Sequence, residues 1–81
     1  MRRAANSITH NIAEGYGRYE KKDKTRFYKI SRGSCYELIS QALVAKGLKY
    51  IDPEISEALI NENKDIIREL NSIIKTLESK M

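Results

Sequence analysis

The densest run of chemically capable side chains is YGRYEKKDKTRFYK, residues 16–29, which sets Arg18, Lys21, Lys22, Lys24, Arg26 and Lys29 among Tyr16, Tyr19, Phe27 and Tyr28. Lysine and arginine neutralise phosphates and release condensed counterions, and an exposed aromatic ring stacks on an unpaired base. The pattern makes Arg18, Lys21, Lys22, Lys24, Arg26, Lys29 and Tyr19 the candidate nucleic-acid-binding residues. The same composition suits a solvated basic loop or one that binds another protein, and Phe27 and Tyr28 fit a core as well as a ligand.

Covalent chemistry finds little support elsewhere. Cys35 and His10 are the single thiol and the single imidazole, and no third group orients them in a recognisable motif, so no catalytic residue is assigned and the chain reads as a non-enzyme. EGYGR lacks the Lys-Ser/Thr that follows the glycines of a phosphate loop. One Cys and one His do not make an ordinary zinc set, and neither metal nor cofactor is expected. Glu14, Arg26, Glu37 and Gln41 form a second constellation. Arg26, Gly33 and Glu37 share one side of a helix, Gln41 lies adjacent, and Glu14 ends the helix expected to pack there. Charges drawn out of water need partners, so a structural polar cluster with a Glu14–Arg26 ion pair is expected to lock the loop.

Residues 1–50 hold 11 Lys/Arg against 4 Asp/Glu, and residues 51–81 hold 4 against 7, so a net charge of +4 divides into +7 and −3. That division suits an anionic partner for the first half, or subunits that meet with opposite charges. A chain of 81 residues makes a single domain, 1–81, and buries a smaller fraction of its surface than a larger protein. With one Cys it has no internal disulfide, which leaves oligomerisation as the expected support. No apolar run approaches the roughly 20 residues needed to span a bilayer, and MRRAANS lacks a signal peptide's hydrophobic stretch. A cytoplasmic location without membrane contact is expected, with Cys35 acting as a small apolar residue.

Three helices must position these groups. The first, about residues 2–15, places Ala4, Ala5, Ile8 and Ile12 on one face. Gly15 or Gly17 is expected to close it in a left-handed conformation, with Tyr16 folding back as an apolar contact. The second, about 23–47, starts at the N-cap candidate Asp23 and stops at Gly47. Its stripe is Phe27, Ile30, Leu38, Ala42 and Ala45, with a second line of Tyr28, Cys35, Ile39 and Leu43, so it is touched on more than one side. Gly33 beside Ser34 either admits a close backbone, for which Ala4 and Ala5 are the candidates, or is a tolerated surface glycine.

The third helix, about 53–80, opens with Asp52-Pro53-Glu54: a cap, a proline at the first helical position and an acid in the first turn. Leu59, Asn63, Ile66, Leu70, Ile73 and Leu77 alternate spacings of four and three, and Ile60, Ile67, Ile74 and Met81 recur every seven. Asn63 either fixes register or is satisfied by solvent at the stripe's edge. Asp65 and Arg68 pair one turn apart. The fold class is all-α: an antiparallel up-and-down helical bundle.

RRAANSITHNIAEGYGR, RFYKISRGSCYEL, Gln41 and LKYI together resemble the four-helix-bundle proteins encoded in intervening sequences of bacterial 23S rRNA genes. The likeness covers most of residues 2–51. Such proteins generally carry another helix ahead of the arginine pair, so the resemblance implies that Arg2–Glu14 corresponds to the second helix of four. The Ala4/Ile8/Ile12 face and part of the Ile66/Ile73 face are then left for another subunit to cover. Thr9 and His10 stand where relatives commonly read Pro-Ser, which implies a straighter first helix. Similar proteins accompany reverse transcriptases in diversity-generating retroelements. There the resemblance implies a ring-shaped homopentamer with a basic, nucleic-acid-binding surface. Two alternative functions are expected of this chain. The first is a non-enzymatic, homo-oligomeric accessory module that binds RNA or single-stranded nucleic acid through the basic loop. The alternative is a protein-interaction scaffold with no direct nucleic-acid contact, which presents its third helix or loop to another protein such as a polymerase.

Overall fold

The computed structural model describes residues 1–80, so Met81, the last member of the seven-residue repeat, lies outside the described residues. Three helices follow in order: α1 (Arg2–Tyr16), α2 (Lys21–Gly47) and α3 (Pro53–Ser79), with no strand among the described residues. Their pairings are antiparallel. Along α1 and α2, Tyr28 meets Gly15, Ser31 Oγ donates to the Ile8 carbonyl at 2.9 Å and Ser34 Oγ to Ser7 Oγ at 2.8 Å. Along α2 and α3, Lys29 bonds Glu78, Arg32 bonds Asn71, and Ser56 Oγ donates to the Ala42 carbonyl.

The helices occupy three corners of a square. No Cα of α1 lies within 8 Å of one in α3, although α2 packs closely against both. Helices about 10 Å apart at three corners span roughly 19 Å across the diagonal and about 12 Å in depth. The observed cross-section is 20 × 13 Å along a length of 45 Å. Three in a row would be wider and much thinner, and a triangular bundle would bring α1 against α3. The fourth corner is therefore open in the single chain, and α1 and α3 form its walls.

The core fills the inside of the angle: Ala4 and Ile8 from α1, Tyr28, Cys35 and Leu38 from α2, Ile67, Leu70 and Ile74 from α3. Cys35 is fully enclosed, and burial pushes its thiol pKa up, so it stays protonated and inert, as the helical pattern implied. Several sequence expectations give way here. Ile30 and Leu43 are exposed, because α1 and α3 cover only the side of α2 that carries Ser31, Cys35 and Ala42. Ala5 is exposed as well. Gly33 is exposed with open space where a Cβ would stand, and Ser31 and Ser34 make the close seam with α1 in its place. Asn63 is buried rather than at a wet edge. Its Nδ2 donates to the Leu59 carbonyl at 2.8 Å, and its Oδ1 is unpartnered. Asp65 and Arg68 do pair, at 3.0 Å and in solvent.

Helix ends also differ from the expected ones. α1 runs through Gly15, and Gly17 has φ −79°, so neither glycine is left-handed. Gly15 is small for a different reason: a Cβ there would stand 2.7 Å from Tyr28 Cε1. Tyr16 does not fold back but projects into solvent. α2 begins at Lys21 with Glu20 as its N-cap, which moves Asp23 into the first turn, where a carboxylate suits the helix dipole. At its far end Tyr50 N–H reaches the Ala45 carbonyl at 2.8 Å and Lys49 N–H the Lys46 carbonyl at 3.0 Å. This is a Schellman closure whose left-handed residue is Lys49, φ 61°, two positions beyond Gly47. A side chain at that angle is strained by about 1 kcal/mol. Lys49→Gly is expected to stabilise the protein by up to that amount, read as a higher urea midpoint with an unchanged slope.

Candidate functional site

The basic stretch lies at the end of the molecule where α1 finishes, α2 starts and α3 returns. Here an open groove of about 760 Å³ is lined by Lys22, Asp23, Thr25, Arg26, Lys29, Ile30 and Glu78. Lys22, Arg26 and Lys29 recur at spacings of four and three, so helical geometry aligns their side chains along one edge of α2 over about 10 Å. The positive end of the α2 dipole adds to their field, because Glu20 makes no side-chain cap to the first-turn N–H groups. Ile30 gives the groove an aliphatic wall. Thr25 is buried with an unpartnered Oγ1.

Tertiary structure sorts the six candidate cations into different tasks. Lys24 Nζ donates to the Gly15 and Tyr16 carbonyls, both at 3.1 Å, and so caps the C-terminus of α1, where a cation also suits the dipole. Arg18 bonds Glu14 at 3.0 Å and stands over the Phe27 ring, 4.9 Å from its centroid. Arg26 stands over the same ring at 4.7 Å and approaches Asp23 at a long 3.9 Å. Lys29 bonds Glu78 at 2.8 Å, half in solvent. Lys21 and Lys22 make no ion pair among the described residues and project from the first turn of α2. The structure thus brings Lys22, Arg26 and Lys29 to one groove, keeps Lys21 free beside it, and commits Lys24 and Arg18 to holding the loop.

The Glu14–Arg26 pair is not formed, and the four-residue polar cluster does not assemble. α1 packs on the Ser31/Ser34 side of α2, which leaves Glu14 to its neighbour one turn on, Arg18, and Arg26 to Asp23. Glu37 and Gln41 bond each other at 3.3 Å along α2, away from both. Sequence reading missed Glu78 and Thr25. Glu78 lies 49 residues from Lys29, so no local pattern points to it, and Thr25 reads as an ordinary helical threonine.

The division of labour predicts separable mutants. Lys24→Ala should cost about 1–2 kcal/mol of stability, since two charge-assisted hydrogen bonds to orphan carbonyls are lost from a partly exposed site. Lys21→Ala should leave stability unchanged within error. Parallel urea titrations followed by circular dichroism give both values, and equal effects would show that Lys24 is not the α1 cap.

Among the described residues no His, Cys, Asp and Glu group is arranged to hold a metal ion, and no helix is long and apolar enough to cross a membrane. No curated protein and no solved structure shows a significant match to the chain. A protein-family model does match, over residues 1–72, a span that takes in α1, the basic loop, all of α2 and most of α3. With the all-helical fold, this match over most of the chain shows that it belongs to the family of 23S rRNA-intervening sequence proteins.

Proposed function

We propose that the protein is a non-enzymatic, self-associating accessory module that binds nucleic acid, RNA in particular, along the basic edge of α2. The observation that carries the reading is the groove lined by Lys22, Arg26 and Lys29 beside unpaired Lys21. These four cations share one end of the molecule; Lys29 bonds Glu78 at 2.8 Å, Arg26 comes only to 3.9 Å from Asp23, and Lys21 and Lys22 make no ion pair among the described residues. Four phosphate contacts on a single strand imply that log K falls with log[salt] at a slope near −3.

Fluorescence anisotropy of labelled RNA across a salt series tests this. Lys21→Glu, Lys22→Glu and Arg26→Glu combined should weaken binding by about 100-fold or more and flatten the slope, because each change removes an attraction and adds a repulsion. Lys24 is left intact in that variant so that α1 keeps its cap. Binding that is absent, or indifferent to salt, refutes the reading.

Self-association rests on the open corner. Asn71 and Glu78, which bond Arg32 and Lys29, mark the outer edge of α3. At 100° per residue the opposite edge, facing the corner, carries Leu59, Ile66, Ile73 and Leu77, and α1 faces it with Ile12. A second copy covers this surface in our reading. The opposite end of the molecule favours a further role as a protein scaffold, including for a polymerase-type partner. There Val44, Leu48, Tyr50 and Ile51 line an apolar groove of about 640 Å³. A Leu48→Asp variant that keeps its oligomeric mass and its RNA affinity but loses a partner protein would establish that role.

A further inference from the structure

We infer that the ligand of this basic end of the molecule is unpaired nucleic acid, with the exposed rings of Tyr19 and Tyr16, at the turn that leads into α2, as stacking platforms. The inference rests on the nucleic-acid reading above and names its substrate class. The basic stretch holds four aromatic residues, and the fold removes two of them from use. Tyr28 is buried against Gly15. Phe27 is covered by the guanidinium groups of Arg18 and Arg26, 4.9 and 4.7 Å from its centroid. Tyr19 is left 99% exposed and Tyr16 81% exposed.

These two rings contribute nothing to the core. Tyr16 ends α1, whose last carbonyls Lys24 ties down, and Tyr19 stands in the turn, two residues before α2. Lys24 Nζ sits over the Tyr16 ring, 5.9 Å from its centroid, which occupies one face of that ring and leaves the other open. Tyr19 has no such neighbour and offers both faces.

A base stacked on tyrosine must have a free π-face, which a base inside a duplex lacks. The groove matches the same ligand. Its three aligned cations extend about 10 Å along α2, in reach of successive phosphates of one strand, and Ile30 supplies an apolar wall for a ribose or a base edge.

Anisotropy with labelled oligouridylate of about 12 nucleotides, a length within the site sizes known for single-strand modules, decides the matter against a blunt RNA duplex of equal length. The single strand is expected to bind at least about 10-fold more tightly. Tyr19→Ala should weaken single-strand binding by about 5- to 100-fold, Tyr16→Ala by less, and Tyr19→Phe hardly at all, with the salt slope unchanged because no phosphate contact is lost. Both rings lie outside the core, so these variants keep the wild-type helical signal.

Equal affinity for strand and duplex, untouched by Tyr19→Ala, overturns the single-strand assignment while leaving the nucleic-acid reading standing. Failure of both RNAs to bind wild-type protein overturns both. Loss of oligomeric mass in Tyr19→Ala with RNA affinity intact assigns the tyrosines to a subunit contact and likewise overturns the inference.

Discussion

Gly15→Val is expected to destabilise the protein by about 3 kcal/mol, a large part of the roughly 4–12 kcal/mol available to a domain of this size. Gly15 sits inside α1 with no unusual backbone angle, so on helix propensity alone a side chain there would be favourable by up to about 1 kcal/mol. Packing reverses the sign. A Cβ would stand 2.7, 3.0 and 3.1 Å from three atoms of the Tyr28 ring, and a buried ring cannot bend away. α1 would have to lift from α2, which breaks the Ser31–Ile8 and Ser34–Ser7 bonds along the same seam. Gly15→Ala should cost less, since one methyl needs a smaller shift and gains propensity. Urea denaturation ranks the variants as wild type, Ala, Val. Combining Gly15→Ala with Tyr28→Leu should restore part of the loss, a coupling of contacting residues measurable in a double-mutant cycle. A Gly15→Val protein as stable as wild type would refute the assigned packing.

The second large effect separates the closed side of α3 from its open side. Leu70 is 3% exposed and Ile73, three residues on, is 42% exposed. Leu70→Ala is expected to cost about 2–5 kcal/mol at any protein concentration, because the core of the single chain already encloses the site and a cavity remains after truncation. Ile73→Ala in an isolated chain should cost less, about 1 kcal/mol, since 42% of its surface is already in water and truncation leaves no closed cavity. If a second copy covers the corner, the cost of Ile73→Ala rises and varies with protein concentration. Ile73→Asp should then shift the sedimenting species toward the 9.3 kDa monomer while the helical signal persists. A wild-type chain that sediments as a well-folded monomer at micromolar concentration would remove the basis for self-association.

Much of this fold is legible in the residues themselves. Asp52-Pro53-Glu54 marks the start of α3, and the 3.6-residue spacing of Ile67, Leu70 and Ile74 marks its buried face. Cys35 falls on the inner face of α2, and NIAEGYGR is the most specific piece of the family resemblance. These features are local: helix periodicity and cap chemistry act over a few residues, and the chain states them directly.

The candidate site was legible only as a list. Spacing shows that Lys22, Arg26 and Lys29 share an edge of α2, but Lys24 reads as one more cation until α1 is seen to end beneath it. The four aromatics likewise look alike until Gly15 receives Tyr28 and two arginines cover Phe27. What the sequence determined by itself is three amphipathic helices, their turns and an excess of positive charge near the first turn. Tertiary structure alone decided which cations are free, which tyrosines face solvent, which glycine makes room for a ring and which corner stays open. The reason is geometric: a helix's own pattern says which residues share a face, and only the neighbouring helices, tens of residues away in the chain, decide which faces are covered.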